Sequence, residues 1–264
     1  MATAVLLGLV STGFASIALV KAPHNFLSHR AVVAKSYAAN RSSTVRSDHV
    51  ALLIANSNYP DADTPLPEVA AGADLLANIL HSHGFVVDVV RDATRAGITQ
   101  AVDRLKAEAR PGSVVLVYFG GFGVQSRGQN YMIPVDAKIW EESDVRRDGV
   151  SVEETLSELS SSGARKRIAI VDASRRNPYE RRFREYSHGL APIGEDGNSI
   201  VITSTSPEQV AEDAGTNRFV NGLAAKISPS SLPVEEILAR AAASSGDRRE
   251  QEHSGAPVAS NVNS

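Results

Sequence analysis

The sequence predicts an α/β fold, a three-layer sandwich of helices on both faces of a mainly parallel sheet. Two observations lead there. Short runs that are apolar at every position alternate along the chain with segments of helical periodicity. No internal repeat is visible, so the alternation belongs to one domain rather than to an array.

HVALLIAN (49–56) reads as a buried strand, the first element of the chain. Val69, Leu75, Leu76, Ile79 and Leu80 form a helical face that His83-Gly84 ends. FVVDVV (85–90) is the next strand. Ile98, Val102 and Leu105 mark a helix stopped by Pro111-Gly112. SVVLVYF (113–119) is a strongly apolar strand. Arg127-Gly128-Gln129-Asn130 is a turn, and NYMIPVD (130–136) is a short extended piece leading into a loop. Val152, Leu156 and Leu159 share a helical face. RIAIVD (167–172) and SIVITST (199–205) are strands, and helices are expected near Asn217–Ile227 and Pro233–Ser245.

Composition narrows the function classes. A net charge of −3 argues against a nucleic-acid binder, and 5% aromatics against base-stacking platforms. There is no cysteine, which removes disulfides, thiolate metal sites and any thiol nucleophile. No cofactor motif or metal-ligand spacing is present. Residues 1–20 carry no charged side chain and read as a secretory signal or membrane anchor, with Val20 and Ala22 fitting cleavage after Ala22. The basic residues come after this segment instead of preceding it: Lys21, Arg30, Lys35, Arg41 and Arg46 against the single Asp48. Export to the periplasm or exterior, as a cleaved or anchored protein, therefore stands beside the opposite orientation, an anchor facing the cytoplasm, and beside a misplaced start. Residues 23–48 read as a basic linker, 49–245 as the packed domain, and 246–264 as a disordered tail poor in large apolar residues.

In open parallel sheets, sites lie at the carboxyl ends of strands. Two such ends stand out, VYFGGFGVQ (117–125) and VDASRRNPY (171–179). Gly120, Gly121 and Gly123 do not make a dinucleotide loop, because no helix comes directly after them; they let the backbone turn tightly.

The order ALLIANSNYP, helix, VVRDATRAGI, VYFGGFGVQSRGQNYMIPVDA and RIAIVDASRRNPY resembles the caspase-like domain of bacterial metacaspases and orthocaspases. The resemblance continues through SPEQVAEDAGTNRFVNGL (206–223) and LPVEEILARAAA (232–243), covering nearly all of 49–245. It implies the caspase–haemoglobinase fold, in agreement with the three-layer sandwich. In that family the third strand ends in a motif similar to Tyr-Phe-Ser-Gly-His-Gly, whose His is the general base; here Phe122 occupies that position. The fourth ends in a motif resembling Asp-Ala-Cys-Arg-Asn-Asn-Pro, whose Cys is the nucleophile; here it is Ser174. Of the two acidic residues that receive a basic P1 side chain, one matches Asp172 and the other aligns with Gly72. The backbone amides of Gly123 and Ser174 would supply the oxyanion hole.

Three of the family's four chemical positions have thus changed. A serine hydroxyl, unlike a thiol, needs an adjacent base, and Phe122 accepts no proton while its ring would fill the cleft. Losing nucleophile or base from a hydrolytic triad costs on the order of 10⁶ in turnover. His188 is the one credible substitute base; His81 and His83 close the first helix and are expected at the surface. Arg175, Arg176, Arg181, Arg182 and Arg184 form a solvated charged loop, an acidic-partner site, a processing site, or an internal partner for Asp172. These changes imply a catalytically inactive pseudopeptidase that binds a peptide or protein. The alternatives are a weakly active endopeptidase cleaving after Arg or Lys, and a regulator pairing with an active caspase-like relative.

The leader carries its own test. A cleaved signal gives a mature protein beginning near Pro23 outside the cytoplasm; mass spectrometry finding an intact amino terminus in the membrane fraction identifies an anchor instead.

Overall fold

The computed structural model describes residues 47–60, 62, 65–173, 189–194, 197–207, 209 and 217–254, with side chains to 244. The leader, most of the linker and the end of the tail lie outside these residues. Within Ser47–Ser264, the described chain runs β1 (His49–Ala55), α1 (Pro67–Ser82), β2 (Val86–Arg91), α2 (Arg95–Glu108), β3 (Val114–Gly120), β4 (Gly123–Ser126), β5 (Gln129–Met132), α3 (Glu142–Asp148), β6 (Val150–Ser151), α4 (Val152–Ser160), β7 (Lys166–Asp172), β8 (Ser199–Thr203), α5 (Arg218–Ile227) and α6 (Val234–Ser254).

Five strands pair in parallel in the order β2-β1-β3-β7-β8. Alternate side chains of one strand face opposite sides. On β1, Ala51, Leu53 and Ala55 pack with Ala73, Leu76 and Leu80 of α1 and with Val220 and Leu238 of α5 and α6. Val50, Leu52 and Ile54 pack on the other side with Ile98, Val102 and Leu105 of α2 and Leu156 and Leu159 of α4. That division comes from chirality: β2 is reached to one side of β1 and β3 to the other, so right-handed crossovers put α1 and α2 on opposite faces. The predicted three-layer sandwich is therefore what forms. Leucine, isoleucine and valine at every position suit strands covered on both faces, and β1, β3 and β7 are buried almost throughout.

The structure differs from the sequence expectation in three places. β4 and β5 form an antiparallel hairpin, extended by β6 into a small second sheet. Its turn holds Arg127 and Gly128 at φ 52° and 77°, the mirror-type turn that matches strand twist. The segment expected to be a loop contains α3, which offers no apolar periodicity and is held by a reciprocal cap between Glu141 and Asp144. The last helix continues through Gly246 to Ser254, correcting the tail boundary at 246; Arg248 to Glu252 are good helix formers, and the first proline comes at 257.

The loop after β1 ties the strand ends together. Asn56, fully buried, donates from Nδ2 to the carbonyls of Ala93 (3.3 Å) and Ile133 (3.2 Å) and accepts the Ala93 N–H (2.8 Å). Asp92 sits at φ 48° and accepts from the Ser57 amide (2.8 Å), the Asn58 amide (2.9 Å) and Asn58 Nδ2 (2.6 Å). Partial burial acts to raise its pKa, but these donors outweigh it and hold the carboxyl below the ordinary 3.8. A depressed pKa contributes stability above 3.8 that is lost as pH falls through the lower folded value. We expect Asp92→Asn to lower the melting temperature at pH 7 by a few degrees, with the gap to the parent closing as the pH is taken below 3.8. A gap unchanged down to pH 2 in thermal melts contradicts this account.

Candidate functional site

The parallel register brings Ala55, Gly120 and Asp172 into one row at the carboxyl edge of the sheet. This is also where the strand order reverses, since β1 is flanked by β2 and β3, and such points open a crevice between the loops. Both sequence-singled strand ends, 117–125 and 171–173, lie at this edge.

After Gly120 the chain must pass tightly over Tyr59. Gly121 does so at φ 155°, where a Cβ would run into the Tyr59 hydroxyl and lie 3.0 Å from Phe119 Cζ. Its N–H donates to the Asp172 carbonyl (3.3 Å). The Phe122 backbone is then bound on both sides. Its N–H donates to the Tyr59 hydroxyl (3.1 Å), and its carbonyl accepts the Ile133 N–H (3.0 Å). Tyr59 completes the loop by donating to the Ile133 carbonyl (2.9 Å).

The Phe122 side chain is 4% exposed. Its ring lies 4.6 Å from that of Tyr59, tilted by 51°. It packs in a third cluster with Val124, Tyr131, Ile133, Ala137, Ile139 and Val145, formed by the small sheet and α3. The expectation that this ring plugs the cleft is refined: it is a core residue of the hairpin layer.

The Gly123 amide, expected as an oxyanion donor, has a partner within the sheet edge. It donates to the Ala173 carbonyl at 3.0 Å. The approach is close, for a Cβ on Gly123 would lie 2.7 Å from that of Ala173 and 3.0 Å from Leu190 Cδ2. Ser174, the other expected donor and the nucleophile position, lies outside the described residues, as do His188 and the five arginines 175, 176, 181, 182 and 184.

The three histidines whose side chains are described stand at the opposite edge. His49 opens β1, and His81 and His83 close α1 just before β2. His81 is exposed as expected, while His83 is half-buried. Helix α1 crosses the sheet antiparallel to β1, which carries its carboxyl end away from the site. Among the described residues, no cluster of His, Asp and Glu has the arrangement of a metal site.

Asp172 is 5% exposed, and Tyr118 Oη stands 3.5 Å from its Oδ2. Gly72 is buried in α1, where a Cβ would come 3.1 Å from Asn217 Oδ1 and 3.3 Å from Val220 Cγ2 of the α5 region. A residue the sequence reading passed over is Glu68, 8% exposed in the first turn of α1. It lies one turn before Gly72 on the same face, and its neighbour Val69 packs over Gly120, 2.9 Å from where a Cβ there would stand. The signal was available: a carboxylate at a helix amino terminus, where the macrodipole favours it, four residues before Gly72.

Two substitutions test this geometry. Tyr59→Phe leaves the buried Phe122 N–H unsatisfied and should destabilise by about 1–3 kcal/mol. Gly72→Asp, which helix propensity alone would favour, should destabilise instead, because its side chain must displace Asn217 and Val220. Urea unfolding reads both; a Gly72→Asp chain as stable as the parent contradicts the α1–α5 contact.

Comparison with known proteins gives the same assignment. The caspase-domain family matches residues 48–258. Over 93 residues the chain is 37% identical to mucosa-associated lymphoid tissue lymphoma translocation protein 1 of Homo sapiens and 36% identical to its Mus musculus homolog. These matches cover 34% of this chain and 11% of either relative. With the family match spanning the whole packed domain and the parallel sheet ending in the two expected strand-end motifs, the chain belongs to the caspase-domain family.

Proposed function

We propose that this chain is a catalytically inactive caspase-domain protein that acts by binding a peptide or protein segment carrying a basic side chain. One observation carries the reading. The position that supplies the family's general base holds Phe122, and that ring is a packed member of an apolar cluster rather than a residue facing a substrate. The absence of cysteine from the whole chain removes the thiol nucleophile as well. Serine at 174 would require a base within hydrogen-bond reach.

The cationic ligand is argued from two buried carboxylates. Asp172 is the register partner of Gly120, and Glu68 adjoins the residue that packs over Gly120. The resemblance matches Asp172 to an acidic residue that receives a basic side chain, and a guanidinium or ammonium is the group a carboxylate hydrogen-bonds most strongly. The same charge preference fits a segment of a caspase-like relative as well as a free peptide.

Calorimetric titration with an Arg-containing peptide should show binding that weakens roughly tenfold or more when the Arg is replaced by Gln, or when Glu68→Gln is introduced. No hydrolysis of Arg- or Lys-ending reporters above buffer is expected. Turnover that vanishes in Ser174→Ala overturns the inactive reading, and affinity indifferent to the Arg→Gln change overturns the ligand class.

A further inference from the structure

Away from the strand-end crevice, a cavity of about 240 Å³ lies where α2, the end of α3 and the first two turns of α4 meet over β5 and β6. Opposite charges line it. Arg95 of α2 and Arg146 of α3 bring cations, and Glu154 and Glu158 of α4 bring carboxylates. Val102 and Val150 supply apolar surface, and Tyr131 reaches the cavity from β5.

Most charges at this cleft have partners. Arg146 donates to Glu142 (3.2 Å) and to the Ser126 hydroxyl (2.8 Å). Glu158 is paired with Lys106 of α2 (3.1 Å). Arg95 and Glu154 are the exceptions: both are exposed, and neither makes an ion pair among the described residues. The charged groups around them are engaged elsewhere. Asp136 accepts the Arg95 amide (2.9 Å). Asp148 takes the Arg147 guanidinium at 2.8 and 3.0 Å and the Lys138 amide at 3.1 Å. Glu153 takes the amide and Nδ2 of Asn130. The exposed Lys138 side chain does not line the cavity.

Opposite charges within reach of each other would close the gap. No ion pair joins Arg95 or Arg146 to Glu154 or Glu158, whereas Lys106 does reach Glu158. Helices α2 and α4 are therefore bridged toward their carboxyl ends and leave an open cleft at their amino ends, between a free guanidinium and a free carboxylate. Tyr131 Oη donates to Gln129 Oε1 (3.0 Å), so toward a ligand it has only acceptor capacity left. Burial and then the Glu154 charge raise the Tyr131 pKa, with Arg146 acting against them, so the hydroxyl stays neutral and within range of that carboxylate. Glu154 and Tyr131 thus make an accepting end suited to an ammonium, and Arg95 a donating end suited to a carboxylate. At about 30 Å³ for a water in the liquid, the cavity admits a ligand of about eight heavy atoms.

We propose that this cleft binds a small zwitterion, its ammonium on Glu154 and Tyr131 and its carboxylate on Arg95. Val102 and Val150 suit an aliphatic side chain between the two charges. The ligand chemistry is that of a free aliphatic amino acid or of a very short peptide. The site shares no lining residue with the strand-end crevice and stands whether or not the crevice binds a ligand.

The full chain is titrated with L-valine and followed by ligand-observed NMR. Valine should bind saturably in the millimolar range. Isobutylamine, which lacks the carboxylate, and isovalerate, which lacks the ammonium, should each bind about tenfold more weakly. Arg95→Gln should bring valine down to the affinity of isobutylamine, and Glu154→Gln down to that of isovalerate. Each variant should leave the analogue that lacks the matching charge unchanged, which a merely structural role would not do. Thr99→Trp, an exposed substitution on the cavity wall, should block binding with both charges in place. Tighter binding of glycylvaline than of valine assigns the peptide source and the reverse the free amino acid; either upholds the zwitterion class. Analogues that bind as well as valine overturn the proposal, and so does valine affinity equal to the parent's in both charge variants.

Discussion

A parallel sheet leaves the backbone groups beyond its last ladder bonds without partners, and here the loop after β1 supplies them. Asn56 holds Ala93 and Ile133, Asp92 gathers the amides of Ser57 and Asn58, and Tyr59 bridges Phe122 to Ile133. One short loop thus fixes the ends of β1, β2, β3 and β5 against each other. Buried polar groups left unpaired cost about as much as a sizeable core substitution, so this network is what keeps the crevice loops in register. It consists of backbone groups and of side chains other than those of the altered positions. The identities of the side chains at 122 and 174 therefore do not enter it.

Packing and internal hydrogen bonding dominate the end of β3. Phe122 brings a large apolar surface to a layer in which Tyr59, Ile133 and Ile139 already meet, and burial of such a ring is worth about 1.5–3 kcal/mol. The Gly123 proton goes to Ala173. Both contacts fix the end of β3 against the hairpin and against the end of β7.

Charges elsewhere serve the frame. At the β2 edge, Arg91 pairs with Asp74 of α1 and Asp88 with Arg104 of α2. Each exposed pair is worth only about 0–1 kcal/mol, yet charge on an edge strand discourages pairing with another chain. At the amino edge, Glu235 accepts Arg165 (2.8 Å) and faces His49 at 3.9 Å, fixing the first turn of α6 over the starts of β1 and β7. Burial acts to raise the Glu235 pKa, but the bond from Arg165 and its own amide outweigh that and hold it low.

By itself the sequence determined the layers. Strands apolar at every position can only be covered on both faces, and the helical faces marked by Leu76 or Val102 had no other surface to meet. It also marked the two strand ends, and it shows that the chain carries no cysteine and has phenylalanine at 122. Only the tertiary structure decided what the residues at these strand ends touch. That Phe122 is core, that the Gly123 amide donates to Ala173, that Gly72 abuts Asn217, and that Glu68 is buried all depend on segments distant in sequence. The small sheet and α3 escaped sequence reading for a related reason. Their strands and helix are too short for periodicity to register, and side-chain caps and tertiary hydrogen bonds hold them instead.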